Sequence, residues 1–495
     1  MSIVLIPILI PFIGAILAFM TRKSGIDRWV SIVAAFAHLV ASAILVYEVS
    51  NSGVLAVQLG DWPAPFGITM AADGLSAAMT LITGITGLAI AIYSVTDIPY
   101  RETRMGFHSL LQMLLAGVTG AFLTGDLFNL YVWFEVMLIA SFGLLILNKK
   151  ASALRGALSY VGLNLISTIF FLTAVGMLYG LTGSLNMAHL HVTLSDVESS
   201  MTLSWVTLLL LLAFGIKSAV FPLFYWLPSS YHTPSFSVSA IFAGLLTKVG
   251  VYALIRVFTT VMPLDAFFSE VLLWCAILTM FVGVIGAAAQ QEVRRILSFH
   301  IISQIGYMVL GLALNSRLAL IGSMFYLIHH IIVKANLFLI GGVMHRVAGS
   351  GQLKLIGGFY AHQPILAILF LIPAFSLAGF PPLSGFWAKY VLIQASMEIE
   401  QWIAAGMALL VGLLTIYSMT KIWGEGFWKP HPTIDSEIAK QKIDVFSWIA
   451  IGFLASLTIV IGLFPAPFYA FAEMAAQQLI DPTEYVNAVL NGGKQ

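Results

Sequence analysis

Residues 203–227 decide the fold class, and they run LSWVTLLLLLAFGIKSAVFPLFYWL. As a helix rising about 1.5 Å per residue, a stretch of this length crosses about 30 Å of hydrocarbon. Its only charged residue is Lys217, and Phe221-Pro222-Leu223 follows shortly after. An apolar helix that holds a lysine and a proline at membrane depth indicates a transmembrane helix that breaks and that carries a function.

The whole chain has the composition of an integral membrane protein. Of its 495 residues, 60% are hydrophobic and 9% are charged, whereas about a quarter of the residues are charged in an ordinary soluble domain. A soluble core stops growing near about 250–300 residues, yet this chain stays apolar to its last segments. We therefore expect an all-α polytopic membrane protein in which lipid covers much of the surface.

About fourteen apolar runs of membrane-spanning length predict about fourteen transmembrane helices. The runs lie near 2–20, 28–49, 74–95, 106–124, 127–147, 157–180, 203–227, 235–258, 266–288, 296–315, 318–344, 364–395, 402–424 and 446–470. The first run is expected to be retained as a helix, because Arg22 and Lys23 follow it instead of preceding it and no small-residue cleavage site is evident.

The basic residues predict the orientation, because cytoplasmic loops are enriched in Lys and Arg. With the N-terminus outside, sixteen of the 23 basic residues fall on cytoplasmic loops or helix ends: Arg22, Lys23, Arg28, Arg101, Arg104, Lys149, Lys150, Arg155, Arg294, Arg295, Arg346, Lys354, Lys421, Lys429, Lys440 and Lys442. Arg256, Arg317 and Lys494 fall on the outer side. Fourteen spans keep both termini outside.

Five charged residues lie well inside predicted spans: Glu135, Lys217, Lys248, Lys334 and Lys389. Each costs about 2.5 to 3.5 kcal/mol at the bilayer centre, so each must be paired, hydrated or neutralised. A single lysine could be a structural partner of Glu135 or could extend to the interface. Five in one chain favour a function over packing, and Glu135 and Lys217 are expected to form a pair between neighbouring helices.

A histidine group accompanies these charges in the eleventh span. His330 and Lys334 are four residues apart and share a helix face, His329 adjoins them, and His300 lies in the span before. Lysine is a poor metal ligand and no cysteine or carboxylate lies nearby in sequence, so we expect no metal site. A proton relay is favoured over a hydrogen-bonded pair of core histidines.

The one cysteine, Cys275, cannot form an internal disulfide, hold an iron–sulfur cluster alone or complete a CxxCH haem motif. It is expected to fill the core, and no cofactor is expected.

Two spans carry a Phe-Pro-Leu or Phe-Pro-Pro-Leu motif at membrane depth, and the pair of motifs indicates a repeat. Pro222 lies in the seventh span, and Pro381 and Pro382 lie in the twelfth, within Ala378-Gly379-Phe380-Pro381-Pro382-Leu383-Ser384-Gly385. Proline should break each helix and free carbonyl groups. Because the breaks are five helices apart and five is odd, the repeat is expected to be inverted. We divide the chain into an N-terminal three-helix segment (1–105), two five-helix repeats (106–260 and 261–424), and a cytoplasmic loop, last helix and tail (425–495).

Three stretches carry a resemblance to a known family. They are Phe128-Asn129-Leu130-Tyr131-Val132-Trp133-Phe134-Glu135, then Thr233-Pro234-Ser235 with Ala243-Gly244-Leu245-Leu246-Thr247-Lys248-Val249-Gly250-Val251-Tyr252, and Ile296-Leu297-Ser298-Phe299-His300 running to Gly306-Tyr307. The chain resembles the antiporter-like subunits shared by respiratory complex I and the Mrp-type sodium/proton antiporters. Within that family it is most similar to the D-type subunits, since it lacks the long C-terminal extension of the A type and the lateral helix of the large complex I homologue.

The resemblance implies fourteen helices in two inverted five-helix units. It also implies a functional glutamate on the fifth helix, lysines on the broken seventh and on the eighth, and a lysine or glutamate on the broken twelfth. These map onto Glu135, Lys217, Lys248 and Lys389. The expected partners are the lipid bilayer of a bacterial cell membrane and the other Mrp subunits, of types A, B, C, E, F and G, and no nucleic acid is expected.

Together these features predict a proton path. A proton would enter through water at the broken helices, pass among Lys217, Lys248, the His329, His330 and Lys334 group and Lys389, and leave on the other side, with Glu135 setting the first step. Only one carboxylate, that of Glu135, lies well inside the predicted spans, so sodium is expected to cross elsewhere in a complex. A proton-pumping subunit of complex I, and a membrane enzyme or structural scaffold, are the alternatives; the short loops argue against an enzyme.

Overall fold

The computed structural model describes residues 2–195, 200–431 and 442–491, and most of them are helical. Lys440 and Lys494, two of the basic residues used to predict the orientation, lie outside the described residues. The helices are α1 (Ile6–Thr21), α2 (Asp27–Ser52), α3 (Gly74–Asp97), α4 (Tyr100–Arg104), α5 (Phe107–Leu123), α6 (Leu127–Ile146), α7 (Ala151–Thr182), α8 (Met187–Ser195), α9 (Met201–Ser218), α10 (Trp226–Ser230), α11 (Phe236–Val261), α12 (Ala266–Ala289), α13 (Val293–Leu314), α14 (Arg317–Ala348), α15 (Phe359–His362), α16 (Pro364–Ala378), α17 (Ser384–Glu398), α18 (Trp402–Trp428), α19 (Val445–Leu463), α20 (Pro465–Ile480) and α21 (Thr483–Leu490).

Within the described ranges, 11 helices are long and apolar enough to cross a membrane, namely α2, α3, α6, α7, α9, α11, α12, α13, α14, α18 and α19. Three apolar helices, α1, α5 and α16, are shorter. Several outer helices expose large apolar side chains such as Ile13, Phe19, Leu158 and Ile169, which suits contact with lipid. The multi-pass membrane fold is confirmed, whereas the number fourteen and the inverted repeat stay predictions.

Buried helices form the centre of the bundle. Helices α11 and α14 are buried along their whole membrane-spanning windows, and α3 and α13 along nearly all of theirs. Lys248 lies on α11 and His330 and Lys334 lie on α14, so the backbone itself places these polar residues away from lipid.

Short polar residues begin many of these helices. Asp73 and Ser76 form a capping box at the start of α3, because each side chain bonds the other's backbone N–H. Asp126, Ser200 and Ser316 cap α6, α9 and α14 by accepting hydrogen bonds from backbone N–H groups. These caps fix where the apolar runs enter the bundle.

The structure also contains a β-hairpin, so the expectation of an all-α fold was wrong for one segment. Strands β1 (Leu55–Gln58) and β2 (Thr69–Ala72) pair antiparallel between α2 and α3. Alternating apolar residues in β1 pack on the N-terminal helices, and the intervening turn holds Pro63, Pro65 and Gly67. This segment is too short and too polar to span a membrane.

The first helix break follows α9. This helix ends at Ser218, and Ala219 adopts a left-handed conformation with φ of 61°. The N–H of Val220 donates to the carbonyl oxygen of Gly215 at 3.0 Å, which closes the helix end. Residues 219–225 form turns before α10 begins.

The second break, between α16 and α17, has the same backbone pattern. Gly379 is left-handed with φ of 91°, and the N–H of Phe380 donates to the carbonyl oxygen of Phe375 at 3.0 Å. The breaks predicted in these two spans are confirmed. The predicted cause was incomplete, because each helix ends at a left-handed residue a few positions before Pro222 or Pro381, so the proline follows the stop instead of making it.

Candidate functional site

Glu135 and Lys217 lie on neighbouring helices at one end of the predicted path. Glu135, on α6, accepts a hydrogen bond of 2.8 Å from Thr168 Oγ1 of α7. Lys217, in the last turn of α9, has its Nζ 4.4 Å from the centre of the Phe134 ring, a cation–π contact. The two charges are close enough to interact electrostatically, but the structure forms no direct ion pair between them within 4.0 Å. The predicted pairing is therefore an attraction at longer range.

Lys217 also borders a small cavity of about 20 Å³, whose wall includes Tyr160, Asn164, Trp226 and Leu246. A cavity needs roughly 10–15 Å³ to hold one water molecule. Leu246 belongs to α11, so this space lies between Lys217 and the helix that carries Lys248. Lys217 and Lys248 lie on adjacent helices, but the structure shows no hydrogen bond between them.

Lys248 lies just after a local change in helix geometry. Residues Phe242–Leu246 of α11 form a π-helical turn, and such turns are frequent at functional sites. The Nζ of Lys248 donates to the carbonyl oxygen of Ala243 within this turn. Its side chain is fully buried, so the ammonium group is satisfied by backbone and not by a carboxylate.

His330 and Lys334, both on α14, are the next residues of the predicted path. Lys334 Nζ donates to the carbonyl oxygen of Leu297 on α13 at 2.9 Å. His330 is fully buried and lies close enough to both Lys248 and Lys334 to interact electrostatically. Neither of its ring nitrogens has a hydrogen-bond partner among the described residues. Since buried polar atoms nearly always have a partner, we expect bound water beside this ring.

His329 faces the second helix break. Its Nδ1 is hydrogen bonded to Ser384 Oγ at 2.8 Å, and Ser384 Oγ lies 3.0 Å from Ser376 Oγ across the break. Gly385 makes this contact possible, because a Cβ there would lie 2.8 Å from His329 Nε2. Two adjacent histidines thus point to different groups: His330 to the lysines of α11 and α14, and His329 to the break.

Lys389, on α17, is the last residue of the predicted path. Its Nζ donates to the carbonyl oxygen of Ala378, the last residue of α16, at 3.0 Å and lies 4.9 Å from the centre of the Tyr307 ring. His329 is within electrostatic reach of this lysine. Gly379 leaves room for the chain, since a Cβ there would lie 2.8 Å from Lys389 Cδ.

His300 forms a side branch. Its Nε2 is hydrogen bonded to Ser418 Oγ of α18 at 2.8 Å, while its Nδ1 has no partner in the part of the chain that the structure describes. It is close enough to Lys334 and Lys389 for electrostatic interaction. The structure therefore brings His300 near the other predicted residues without placing it directly in line.

Arg256, which was expected on the outer side, forms a buried ion pair with a distant carboxylate. The residue is fully buried in α11, where Nη2 lies 2.6 Å from Asp73 Oδ1. Its Cζ also lies 5.3 Å from the centre of the Tyr485 ring of α21. The two charged residues are 183 positions apart in the chain, so local sequence gave no sign of the pair.

Comparison with known proteins places the chain in a family. A family model described as NADH:quinone oxidoreductase/Mrp antiporter, transmembrane, matches residues 124–415. The chain belongs to this antiporter family. The D-type subunit of a Na(+)/H(+) antiporter from Alkalihalophilus pseudofirmus is 43% identical over 491 residues, which cover 99% of both chains.

Two solved structures have a fold similar to that of this chain. A chain in the structure of the Mrp complex from Dietzia sp. superposes with a TM-score of 0.91 at 31% identity, covering 99% of this chain and 100% of that one. A chain of respiratory complex I from Thermus thermophilus gives a TM-score of 0.84 at 23% identity, covering 97% and 100%; at that identity the likeness shows the fold alone. The predicted resemblance to D-type subunits is confirmed.

Sequence reasoning missed the neutral residues that surround the charges in this antiporter-family chain. Tyr307 lies under Lys389, its ring stacks on Tyr326 at 5.0 Å, and the Tyr326 hydroxyl donates to Gln304 Oε1. Ser376 and Ser384 bridge the second break. In sequence, these residues could have been noticed only as polar residues inside apolar runs. Such residues are frequent in this chain, so only the contacts in the structure identify the ones that lie beside the charges.

Proposed function

We propose that this chain is a proton-translocating subunit of a multisubunit cation/proton antiporter, a transporter subunit and not a catalytic enzyme. Protons move along Glu135, Lys217, Lys248, the His329, His330 and Lys334 group and Lys389, with His300 as a side branch. The full-length likeness to a D-type Na(+)/H(+) antiporter subunit supports this reading over a proton-pumping subunit of complex I, where the same residues would serve a quinone-driven pump.

Three buried lysines donate hydrogen bonds to backbone carbonyls instead of carboxylates, and this observation supports the proposed relay. The acceptors are the carbonyl oxygens of Ala243, Leu297 and Ala378. A carbonyl accepts a hydrogen bond from a neutral amine as well as from an ammonium group, so losing the proton leaves no unpaired carboxylate behind. A buried ion pair would instead make loss of either charge cost several kcal/mol, about 3–5. The lysines are therefore held in place in either protonation state.

The two histidines supply the connections between lysines. His330, with both nitrogens free of protein partners among the described residues, links Lys248 and Lys334 through bound water. His329 is hydrogen bonded to Ser384 at the second break and lies within electrostatic reach of Lys389. Imidazole accepts a proton on one nitrogen while it releases one from the other, which suits a relay.

Glu135 controls the first step. The carboxylate attracts the proton held by Lys217 through space, without the direct contact that would trap it. A movement of α6 or α9 that weakens this attraction favours release of the proton towards the cavity beside Leu246. The hydrogen bond from Thr168 holds Glu135 in position.

Sodium crosses elsewhere in the assembled complex. Glu135 is the only carboxylate among the relay residues, and a hard cation requires several oxygen ligands. The chain accordingly works with the other Mrp subunits, of types A, B, C, E, F and G, in a bacterial cell membrane, with both termini outside and fourteen helices that include two inverted five-helix repeats.

The test uses the assembled complex in vesicles, with the decay of an imposed pH gradient on addition of Na⁺ as the readout. Lys389→Ala and Glu135→Ala should each abolish antiport while the complex still assembles. Lys429→Ala is the matched control, because this lysine also donates to a backbone carbonyl, that of Leu353, but lies at a half-exposed helix end. Cys275→Ser should also retain activity. Full exchange by the Lys389 variant would exclude the path as drawn.

A further inference from the structure

A second line of buried polar residues lies between α2 and α5, on helices that the relay does not use. Gln112 Nε2 donates to the carbonyl oxygen of Ser31 at 2.8 Å and to its Oγ at 3.0 Å. Further along the same two helices, Thr119 Oγ1 and His38 Nε2 are hydrogen bonded at 3.1 Å.

The register of these bonds extends the line by one more turn. Both pairs are separated by 81 positions in sequence, so α2 and α5 run parallel with a constant offset. The same offset places Asp27, at the start of α2, at the level of His108 on α5. We call these six residues, Asp27, Ser31, His38, His108, Gln112 and Thr119, the N-terminal column.

The column is enclosed by protein yet poorly satisfied by it. All six residues are at most 1% exposed. Oε1 of Gln112 and Nδ1 of His38 and His108 have no hydrogen-bond partner in the described ranges. No other side chain in those ranges bonds the Asp27 carboxylate, which has only the backbone N–H groups of the helix start and the charge of Arg28 near it. Buried polar atoms are nearly always bonded to protein or water, and each one left without a partner is costly. A line of three such atoms, with the Asp27 carboxylate at its end, therefore needs bridging water.

The column runs from one edge of the bundle to its middle. Asp27 and His38 are eleven residues apart on one helix, a rise of roughly 16 Å, which is about half of the 30 Å hydrocarbon layer. Arg28 and the exposed Lys23 lie at the Asp27 end. Helix α1 covers the side of the column, because Gly14 packs on Ala34 and Gln112.

We propose that the N-terminal column is a water-filled half-channel, on helices other than those of the lysine relay, that carries protons in series with the relay from the edge marked by Lys23 and Arg28 to mid-membrane. A proton is the cargo that fits, because one carboxylate and two imidazoles exchange donor and acceptor roles, whereas an alkali cation needs more oxygen ligands than the column offers. This goes beyond the proposed function, which does not involve α2 or α5.

Thiol labelling tests whether water enters the column. The chain has one cysteine, so Cys275→Ser gives a cysteine-free background in the assembled complex. In that background, Ser31→Cys and Thr119→Cys report from two depths, and either serves alone if the other fails to assemble. Ala121→Cys is the matched control, since it is equally buried but lies two residues after Thr119, about 200° around α5.

We expect a small charged methanethiosulfonate reagent, added on the Lys23 side, to label Ser31→Cys and Thr119→Cys and to leave Ala121→Cys unlabelled. Ser24→Cys, which is exposed, shows that the reagent reaches that side. Column cysteines that stay as unreactive as the Ala121 variant, while the Ser24 variant reacts, would overturn the proposal.

Proton flux tests the function of the column in the same vesicles. Asp27→Asn should slow Na⁺-driven decay of the pH gradient roughly tenfold or more, as expected when a proton-accepting group in series is lost. Unchanged flux in this variant would overturn proton conduction even if water enters. Lys389→Ala, measured in the same assay, tests the lysine relay without changing the column. Failure of the half-channel proposal can therefore be distinguished from failure of the proposed relay.

Discussion

The Nζ of Lys389 donates a hydrogen bond of 3.0 Å to the carbonyl oxygen of Ala378. That oxygen has lost its helical partner because α16 ends at Ala378, so the lysine compensates for the break. A charge-assisted hydrogen bond is about twice as strong as a neutral one. Loss of the lysine's proton therefore weakens the tie between α17 and the end of α16, which couples protonation to the geometry of the break.

We predict that Gly385→Ala disrupts transport strongly, although the substitution adds only one methyl group. A Cβ at Gly385 would lie 1.8 Å from the carbonyl oxygen of Ser376 and 2.8 Å from His329 Nε2. Helix α17 must then move away from α16 and from His329, which separates Lys389 from the histidine. Antiport in vesicles should fall by roughly tenfold or more, since small misplacements of reacting groups cost rate steeply.

The control for this substitution is Gly406→Ala in α18, where an added Cβ meets no atom within 4 Å. Alanine is favoured over glycine in a helix by about 1 kcal/mol, so this variant should be as active and as stable as the parent. Equal activity in the Gly385 and Gly406 variants would contradict the close packing of the second break.

We predict that His330→Gln separates transport from stability. The described residues provide no hydrogen-bond partner for either ring nitrogen, so the substitution breaks no bond within the protein. It removes the group that titrates between Lys248 and Lys334, and antiport should fall sharply while the Tm of the purified complex changes little. His345→Gln, on the same helix but near its end, is the control and should keep its activity. A normal exchange rate in the His330 variant would remove this residue from the path.

Much of this architecture follows from local sequence, and the remainder depends on distant contacts. Hydrophobic run lengths are local, so the spans could be predicted, and Pro222 and Pro381 marked the two breaks. The positive φ of Ala219 that ends α9 could not be predicted, because alanine rarely adopts it and only the surrounding packing imposes it.

The partners of the charged residues were equally hidden in the sequence. Lys248 and Lys389 could be selected as candidate functional residues from their cost in a membrane, but their acceptors are backbone carbonyls, which every residue has. Asp27 was overlooked because it stands at the edge of a span, where a carboxylate is ordinary. Only the enclosure of the α2 start by neighbouring helices makes it unusual.

We predict that the buried ion pair between Arg256 and Asp73 stabilises the fold. Asp73→Asn keeps a good helix-capping residue at the start of α3 but leaves the guanidinium of Arg256 buried without a counter-charge. Removing one partner of a buried pair costs about 3–5 kcal/mol, so the Tm of the assembled complex should drop markedly.

A matched exposed pair gives the comparison for this loss. Arg317 and Glu473 lie 2.9 Å apart with side chains that are 55% and 44% exposed, and exposed pairs contribute about 0–1 kcal/mol. Glu473→Gln should therefore barely change the Tm. Adding Arg256→Met to the Asp73 variant removes the unpaired charge and should restore part of the lost stability. If the double variant is no more stable than Asp73→Asn alone, the loss comes from the α3 cap and not from the stranded charge of Arg256.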